Sequence, residues 1–343
     1  MMSEQEHCAL AAKTLAVDEH CWRQFAEGFA ECCPTGNECF DDRIQTLTQL
    51  WNSLSPHAIP PKRHLLNSEC PACSANVQTV AVRQIAGQAP LVYGACDRCG
   101  LGVLLSGGAA DSIYTQPDYY QQRDAGNAGY DHYLAEREYR EAKGCRLIDW
   151  IAKHAARPLK TLLEVGSGFG FTRAGAQQVG LKTAGVDLNP HAAKMAKEIY
   201  GQSTFTGTLA EIVAAKAIPD TCWDVVLYLF VLEHLPDPEQ ELRIAAQMLS
   251  PNGVLALVVP NMNSLEREIF GASYRSFRRD HLWLFSVASL QLLLERAGLK
   301  MIAAESQCNI RLLRGFLTEQ ELNQLDADCR SADLMILAER NQT

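Results

Sequence analysis

Apolar positions along the chain change their period twice. In residues 9–33, Leu15, Trp22, Phe25, Phe29 and Cys33 recur at near-helical spacing. Residues 41–54 set Ile44, Leu47, Leu50, Trp51 and Leu54 on one helical face, with PTGN (34–37) between the runs as a turn signal. This predicts a helical hairpin over 1–60, too small to be stable unless it docks on something. SPHAIPPKRH (55–64) reads as the linker that follows. Residues 61–108 are short, cysteine-punctuated and β-prone around VQTVAVRQI (77–85) and PLVYGAC (90–96), which predicts a small ribbon.

After Ser106-Gly107-Gly108 comes a connector, 109–157, carrying Tyr114, Tyr119, Tyr120, Tyr130, Tyr133 and Tyr139. Its second half, from about Tyr130 to His154, predicts a helix with Leu134, Leu147, Trp150 and Ile151 along it. From 158 to 343 the period alternates: TLLEVG, a helix, TAGVDL, a helix, STFTG, a helix, WDVVLYLF, a helix, VLALVVP, then LKMIAAE and DLMILAER as two further strands. Such alternation is the signature of a parallel sheet with helices on both faces, an α/β fold.

Composition sharpens this little: 343 residues, 47% apolar and 21% charged, describe an ordinary globular chain of two or three domains. The net charge of -9 argues against a general polyanion binder, with Arg275, Arg278 and Arg279 the one obvious basic cluster. No stretch approaches the roughly 20 apolar residues that span a bilayer, and MMSEQEHCAL carries acid where a secretory signal carries positive charge. The expectation is a cytoplasmic protein without a membrane partner, whose 13 cysteines are thiols or metal ligands rather than disulfides.

Candidate chemistry begins at LLEVGSGFGFT (162–172), where an apolar strand runs through Glu164 into Gly166, Gly168 and Gly170 and then a helix. Glycine permits the tight turn and lets a ligand approach the backbone. The spacing G-x-G-x-G is neither the dinucleotide pattern G-x-G-x-x-G nor a phosphate loop, since no Gly-Lys-Ser/Thr follows. Asp187 ends the next strand, where an acid accepts hydrogen bonds from both hydroxyls of a ribose. A nicotinamide dehydrogenase is the physical competitor for this arrangement.

Residues 159–343 resemble the class I S-adenosylmethionine-dependent methyltransferases. EVGSGFG matches the first motif, GVDLNP the second, WDVVLYLFVLEHLPDP (223–238) the fourth strand with its loop, and LSPNGVLALVVPN (249–261) the fifth. The resemblance implies a Rossmann-like seven-stranded sheet with its last strand, DLMILAER, antiparallel. It also implies that Glu164, Gly166, Ser167, Gly168 and Gly170 line the methionine part of S-adenosylmethionine, that Asp187 and Leu188 meet the ribose, and that Gly207, Thr208, Leu209 and Phe230 enclose the rest of the cofactor.

Methyl transfer is an in-line displacement, so the protein must align the nucleophile, exclude water and, for oxygen or carbon acceptors, help remove a proton. The LEHLPDP loop offers Glu233 and His234, either as a base or as a brace for the loop. The insert 261–286 resembles a lid of small-molecule members and brings His281, a base or an anchor. Arg275, Arg278 and Arg279 suit an anionic substrate or a solvated stripe. Tyr119, Tyr120 and Tyr133 are candidates to wall the acceptor, with Tyr133 placed beside the chemistry.

Cys70 and Cys73 in NSECPACSAN, and Cys96 and Cys99 in GACDRCG, form two C-x-x-C knuckles with β-prone sequence between them. That pattern fits a tetrahedral four-thiolate zinc site, the alternatives being two unrelated pairs or a redox disulfide. Four thiolates leave no open coordination position, so the zinc is structural. Sugar C-methyltransferases with a four-cysteine zinc module are similar, although those continue into a large C-terminal domain. The reading is methyl transfer to an oxygen or carbon of a small biosynthetic intermediate. The rivals are an RNA methyltransferase, argued against by a ribbon region, 65–105, with only Arg83 and Arg98 as positive charges, and a scaffolding member that does not methylate. The N-terminal helices remain for a homodimer contact, a protein partner or an extra wall.

Overall fold

The computed structural model describes residues 4–15, 17, 19–33, 39–54, 68–84, 89–108, 111–116, 118–121, 129–218, 223–307 and 312–341. The turn signal at 34–37 and the linker at 55–64 lie outside the described residues. The chain divides into two compact units, each drawn from separate stretches. Met1–Gly108, Pro260–Ser286 and Glu305–Asp333 form the first; Ala109–Val259, Val287–Ala304 and Leu334–Thr343 form the second. The segment 261–286, expected as a lid of the catalytic domain, thus packs within the first unit.

The early strands are β1 (Ser68–Glu69), β2 (Asn76–Arg83), β3 (Leu91–Cys96) and β4 (Gly102–Ser106). Next come β5 (Thr161–Val165), β6 (Lys182–Asp187), β7 (Thr204–Thr206), β8 (Trp223–Leu229) and β9 (Leu249–Pro260). The last are β10 (Trp283–Leu284), β11 (Leu299–Gln307) and β12 (Asp333–Arg340).

In the first unit the expected hairpin is three helices, Glu4–Leu15, Glu19–Cys32 and Phe40–Leu54. The break after Leu15 is invisible in the apolar spacing because Leu15 and Trp22 enter the same core from either side of it. That core is what the helices dock on: Trp22, Phe25, Phe29 and Trp51 pack with Phe270 and Phe316, which come from two later stretches of the chain. Phe25–Trp51 and Trp51–Phe270 are edge-to-face at 5.3 and 5.0 Å, the geometry the ring quadrupoles favour. The Trp51 indole donates to Phe270 O at 3.1 Å. Buried Arg43 donates to Phe316 O at 3.3 Å and pairs with Glu321.

The ribbon is a sheet in the order β1-β2-β3-β4-β10, its last strand supplied by the insert, with Trp283 opposite Val103. Gly102 allows this approach, since a Cβ there would meet Leu284 Cβ at 2.9 Å and Met262 Sδ at 2.8 Å. Tyr93, fully buried, shares its hydroxyl between Arg278 O (2.7 Å) and His281 O (2.6 Å). Asn261 donates to Cys329 O (2.8 Å) and Ser331 O (2.7 Å), binding the insert to the last stretch of the unit.

The second unit is built on a sheet in the order β11-β12-β9-β8-β5-β6-β7. Strands β9, β8, β5, β6 and β7 run parallel, and β12 is antiparallel. Strands β5 and β8 read as near-continuous apolar runs because helices cover both faces of a parallel sheet. Leu162, Val225, Leu227, Val254, Ala256 and Leu337 meet Leu147, Ile148 and Ile151 of the helix Arg137–Ala155 in one core. The predicted connector helix therefore exists, entered through a 3₁₀ turn at Tyr133–Glu136. The order reverses between β5 and β8, and ligands of open α/β sheets bind beyond the strand ends at such a point.

Replacing Trp51 by Ala empties a fully packed aromatic site and should destabilise the protein by about 3–5 kcal/mol in denaturant unfolding. Trp51→Phe keeps most of the contact area but leaves the Phe270 carbonyl without its donor, at a cost of about 1–3 kcal/mol.

Candidate functional site

At the carboxyl ends of β5, β6 and β8 the second unit encloses a cavity of about 710 Å³, within the range that holds a cofactor-sized ligand. Its floor is the loop after β5. Gly166 and Gly168 both sit at positive φ (67° and 49°), where an L side chain is strained. Added Cβ atoms would also strike Val231 Cγ2 at 2.3 Å and the Tyr133 hydroxyl at 2.9 Å. Gly170 serves differently, starting the helix Phe171–Gln178, and a Cβ on it would meet Gln202 Oε1 at 2.0 Å.

Asp187, at the end of β6, holds this loop. Its carboxylate accepts from Gly168 N–H at 2.7 Å and Asn189 N–H at 2.8 Å, with the Tyr120 hydroxyl 3.5 Å away. Burial nevertheless raises the Asp187 pKa, against the two backbone donors that lower it. Glu164 lies beside it on β5, fully buried, and its pKa is pushed up to about 7 by burial against the opposing charge of Arg173. Arg173 is itself fully buried, 3.9 Å from Glu164 Oε2, and its Nη atoms donate to Ser203 O and Thr204 Oγ1 at 2.7 Å. Among the described residues, Glu164 Oε2 and Ser167 Oγ have no hydrogen-bond partner. Orphaned polar atoms that line a cavity mark groups a ligand completes, and an under-neutralised carboxylate favours a cationic one.

The sides of the cavity bring together most of the expected residues. Leu188, Gly207, Thr208 and Leu209 line it with Phe230, which follows β8 directly at φ 56°. A non-glycine residue held there stores about 1–3 kcal/mol of strain. Thr208 also caps the helix Leu209–Ala214 through a capping box with Glu211. Tyr119, Tyr120 and Tyr133 line the cavity with Tyr114 and Tyr130. Tyr133 is stacked on Phe171 at 5.1 Å, and burial, opposed by Arg140, keeps its hydroxyl protonated. His234 lines the cavity, with its Nδ1 3.2 Å from the Tyr114 hydroxyl, while Glu233 is fully buried behind it.

Other expected residues belong to the first unit. His281 is buried there with Nδ1 2.9 Å from Ser276 O. Arg275 pairs with Asp333 at 2.6 Å and Arg278 with Asp280 at 2.8 Å, so these two guanidinium groups are committed to carboxylates rather than offered as an anion site. The four cysteines converge: Cys70 and Cys99 sulfurs are 3.6 Å apart, Cys73 and Cys96 3.4 Å, and all four lie within 4.8 Å of one another. Burial pushes the Cys70 thiol up to about 11 and raises Cys99 as well. Burial also opposes ionisation at Cys96, but the N–H groups of Cys99 and Arg98 outweigh it and hold that thiol down at about 7.

Sequence reasoning did not reach Arg173, Lys143 or Asn189. Arg173 looks like any surface helix cation until β5 and β6 bury it; Lys143, over the Phe230 ring at 4.7 Å, lines the cavity from a different element. For Asn189 there was a signal, Asn before Pro at a helix start.

Glu164 carries a pH signature. Its folded pKa of about 7 exceeds the unfolded value, so stability is full below about pH 4.5, falls as pH rises toward 7, and is constant beyond. Glu164→Gln should remove that limb, a difference on the order of 3 kcal/mol between pH 4.5 and 8 in chemical denaturation of the ligand-free protein.

Residues 135–304 match the family model described as "Methyltransferase domain". Ubiquinone biosynthesis O-methyltransferase of Azoarcus sp. (strain BH72) is 34% identical over 120 residues, 34% of this chain and 51% of that protein. The protein of the same name from Burkholderia pseudomallei (strain 1710b) is 24% identical over 197 residues, 54% of this chain and 84% of that one. The chain thus spans about half the length of the first of these relatives. An S-adenosylmethionine-dependent methyltransferase structure from Archaeoglobus fulgidus covers 61% of this chain and 99% of its own, at 20% identity and a TM-score of 0.46. The reversed strand order and the glycine loop held by a strand-end acid lie within the stretch that matches the family model: residues 135–304 are similar to a methyltransferase domain.

Proposed function

We propose that the protein transfers the methyl group of S-adenosylmethionine to an oxygen of a small biosynthetic intermediate, with carbon as the second choice of acceptor atom. The observation that carries this reading is the cavity itself, which unites the glycine loop, Asp187, the orphaned Glu164 oxygen and His234 in one volume. When bound, the cofactor supplies an electrophilic methyl group on a cationic sulfonium. The loop Gly166–Gly168 gives its amino-acid part a backbone to lie on without side-chain obstruction, and Asp187 accepts from the ribose. Glu164 and Asp187 give the cavity the negative charge that suits a cation. The curated relatives named as O-methyltransferases support oxygen as the acceptor atom.

On this reading the acceptor lies between the tyrosines and the loop after β8. The aromatic wall excludes water, and His234 takes the acceptor proton as the methyl is transferred. Glu233 braces the same loop. Tyr133, as a protonated hydroxyl, orients rather than deprotonates. Neither the ribbon nor the net charge of -9 offers RNA a surface.

The four cysteines fit a zinc ion. A Zn–S distance near 2.3 Å in a tetrahedron sets sulfurs about 3.8 Å apart, close to the 3.4 and 3.6 Å found between pairs here. The ion would hold both knuckles and offset the burial of the thiolates, with a structural role.

Calorimetry should find S-adenosylmethionine and S-adenosylhomocysteine binding and no NAD binding. Asp187→Ala should weaken S-adenosylhomocysteine by about 10- to 100-fold. Once an acceptor is found, His234→Ala should lower kcat by about 10²–10⁴ while the cofactor KM stays near that of the unaltered protein; tight NAD binding alone would sink the reading. Elemental analysis should give one zinc per chain, lost in Cys99→Ser.

A further inference from the structure

A path of hydrogen bonds leads away from the ribose acid to the candidate base, and its middle member is Asn189. This side chain is 1% exposed and fully used. Its Oδ1 accepts from His191 N–H at 2.9 Å, which caps the helix Pro190–Tyr200. Its backbone N–H donates to Asp187 Oδ1 at 2.8 Å. Its Nδ2 donates to Tyr114 O at 2.8 Å and Gln116 O at 3.2 Å. One carbonyl belongs to the end of the 3₁₀ turn Asp111–Thr115 and the other to the residue just after it, where acceptors have no partner within the turn itself. One asparagine therefore caps a helix, steadies the cofactor acid and pins a turn remote in sequence.

That turn carries Tyr114. Its ring stands edge-on to Tyr119 at 5.6 Å and to the His234 ring at 5.4 Å, and its hydroxyl is 3.2 Å from His234 Nδ1. The two ring nitrogens of a neutral histidine have opposite roles, and the bond at one decides the role of the other. If Nδ1 carries the proton and donates to the Tyr114 oxygen, Nε2 holds the lone pair that a base needs. If the hydroxyl instead donates to Nδ1, Nε2 carries a proton and cannot accept one.

We propose that Tyr114 is the positioning residue of His234, accepting from its Nδ1–H, and that Asn189 couples this pair to the cofactor acid by pinning the Tyr114 turn. The inference rests on the methyl-transfer reading for its purpose, but its physical content does not need turnover. Asn189 is what makes the cofactor end of the cavity and the base end one assembly: the same residue that orders Asp187 orders the turn over the base. Ser112, Tyr114 and Thr115 of the turn all line the cavity, so pinning it also closes that side.

Two variants separate the parts. Asn189→Asp keeps an N-cap acceptor and the backbone donor to Asp187 but replaces the amide with oxygens that face two carbonyls. Tyr114→Phe keeps the ring and removes the oxygen. Hydrogen exchange of the intact protein should be at least tenfold faster for the amide of Gln116, which donates to Ile113 O of the turn, in Asn189→Asp, with His191 still protected; unchanged exchange at Gln116 would overturn the pinning role. Nitrogen-15 NMR of the His234 imidazole should find the Nδ1-protonated tautomer in the unaltered protein and a mixture in both variants. The Nε2-protonated tautomer in the unaltered protein, or the same tautomer in all three, would overturn the positioning role. S-adenosylhomocysteine titration of the unaltered protein is the separate control: its failure strikes the methyl-transfer reading and leaves the exchange and NMR results to decide this one.

Discussion

The hydrogen bond from Gly168 N–H to the Asp187 carboxylate, 2.7 Å long and buried, joins the two chain reversals that the cavity requires. A buried carboxylate is costly unless donors surround it, and a turn of glycines is costly in entropy to order. Each solves the other's problem. The result is a rigid edge formed where β5 and β6 end, with Glu164 and Arg173 beneath it as a buried ion pair. Such a pair contributes little net stability by itself, yet it sets the charge of the floor above.

The parallel sheet was legible because its strands are apolar runs broken at regular intervals by helical periods, and because Glu164, the glycines and Asp187 mark their ends in the sequence. The residues expected to enclose a cofactor followed from those landmarks by resemblance, and of these Leu188, Gly207, Thr208, Leu209 and Phe230 line the cavity. What stayed hidden depends on contacts between distant stretches. Tyr114 was one tyrosine among six, and nothing in its neighbours' pattern tells which one meets His234. Arg275 and Arg278 read as an anion site because the carboxylates that neutralise them, Asp333 and Asp280, have no visible partner role in sequence. The helix break after Leu15 was hidden for the opposite reason, that both sides of it obey one period.

The first unit states a general point about chain economy. None of its three stretches holds a complete core: the N-terminal helices contribute Trp22, Phe25 and Trp51, and Phe270 and Phe316 arrive from elsewhere. Local periodicity reveals each apolar face but not its mate. The N-terminal helices, too small to be stable alone, dock on later stretches of the same chain.

The pairing of β4 with β10 has a consequence for biogenesis. A ribosome that has released Ser106 must still make the 176 residues between it and Trp283 before the ribbon's last edge can be covered. At bacterial to eukaryotic elongation rates that takes roughly 10–35 s. For that interval Gly102, Val103 and Leu104 form an open strand edge, the feature that recruits foreign strands. A cell making this protein must therefore shelter a half-built ribbon, and the yield of native protein will depend on what else is present while the edge waits.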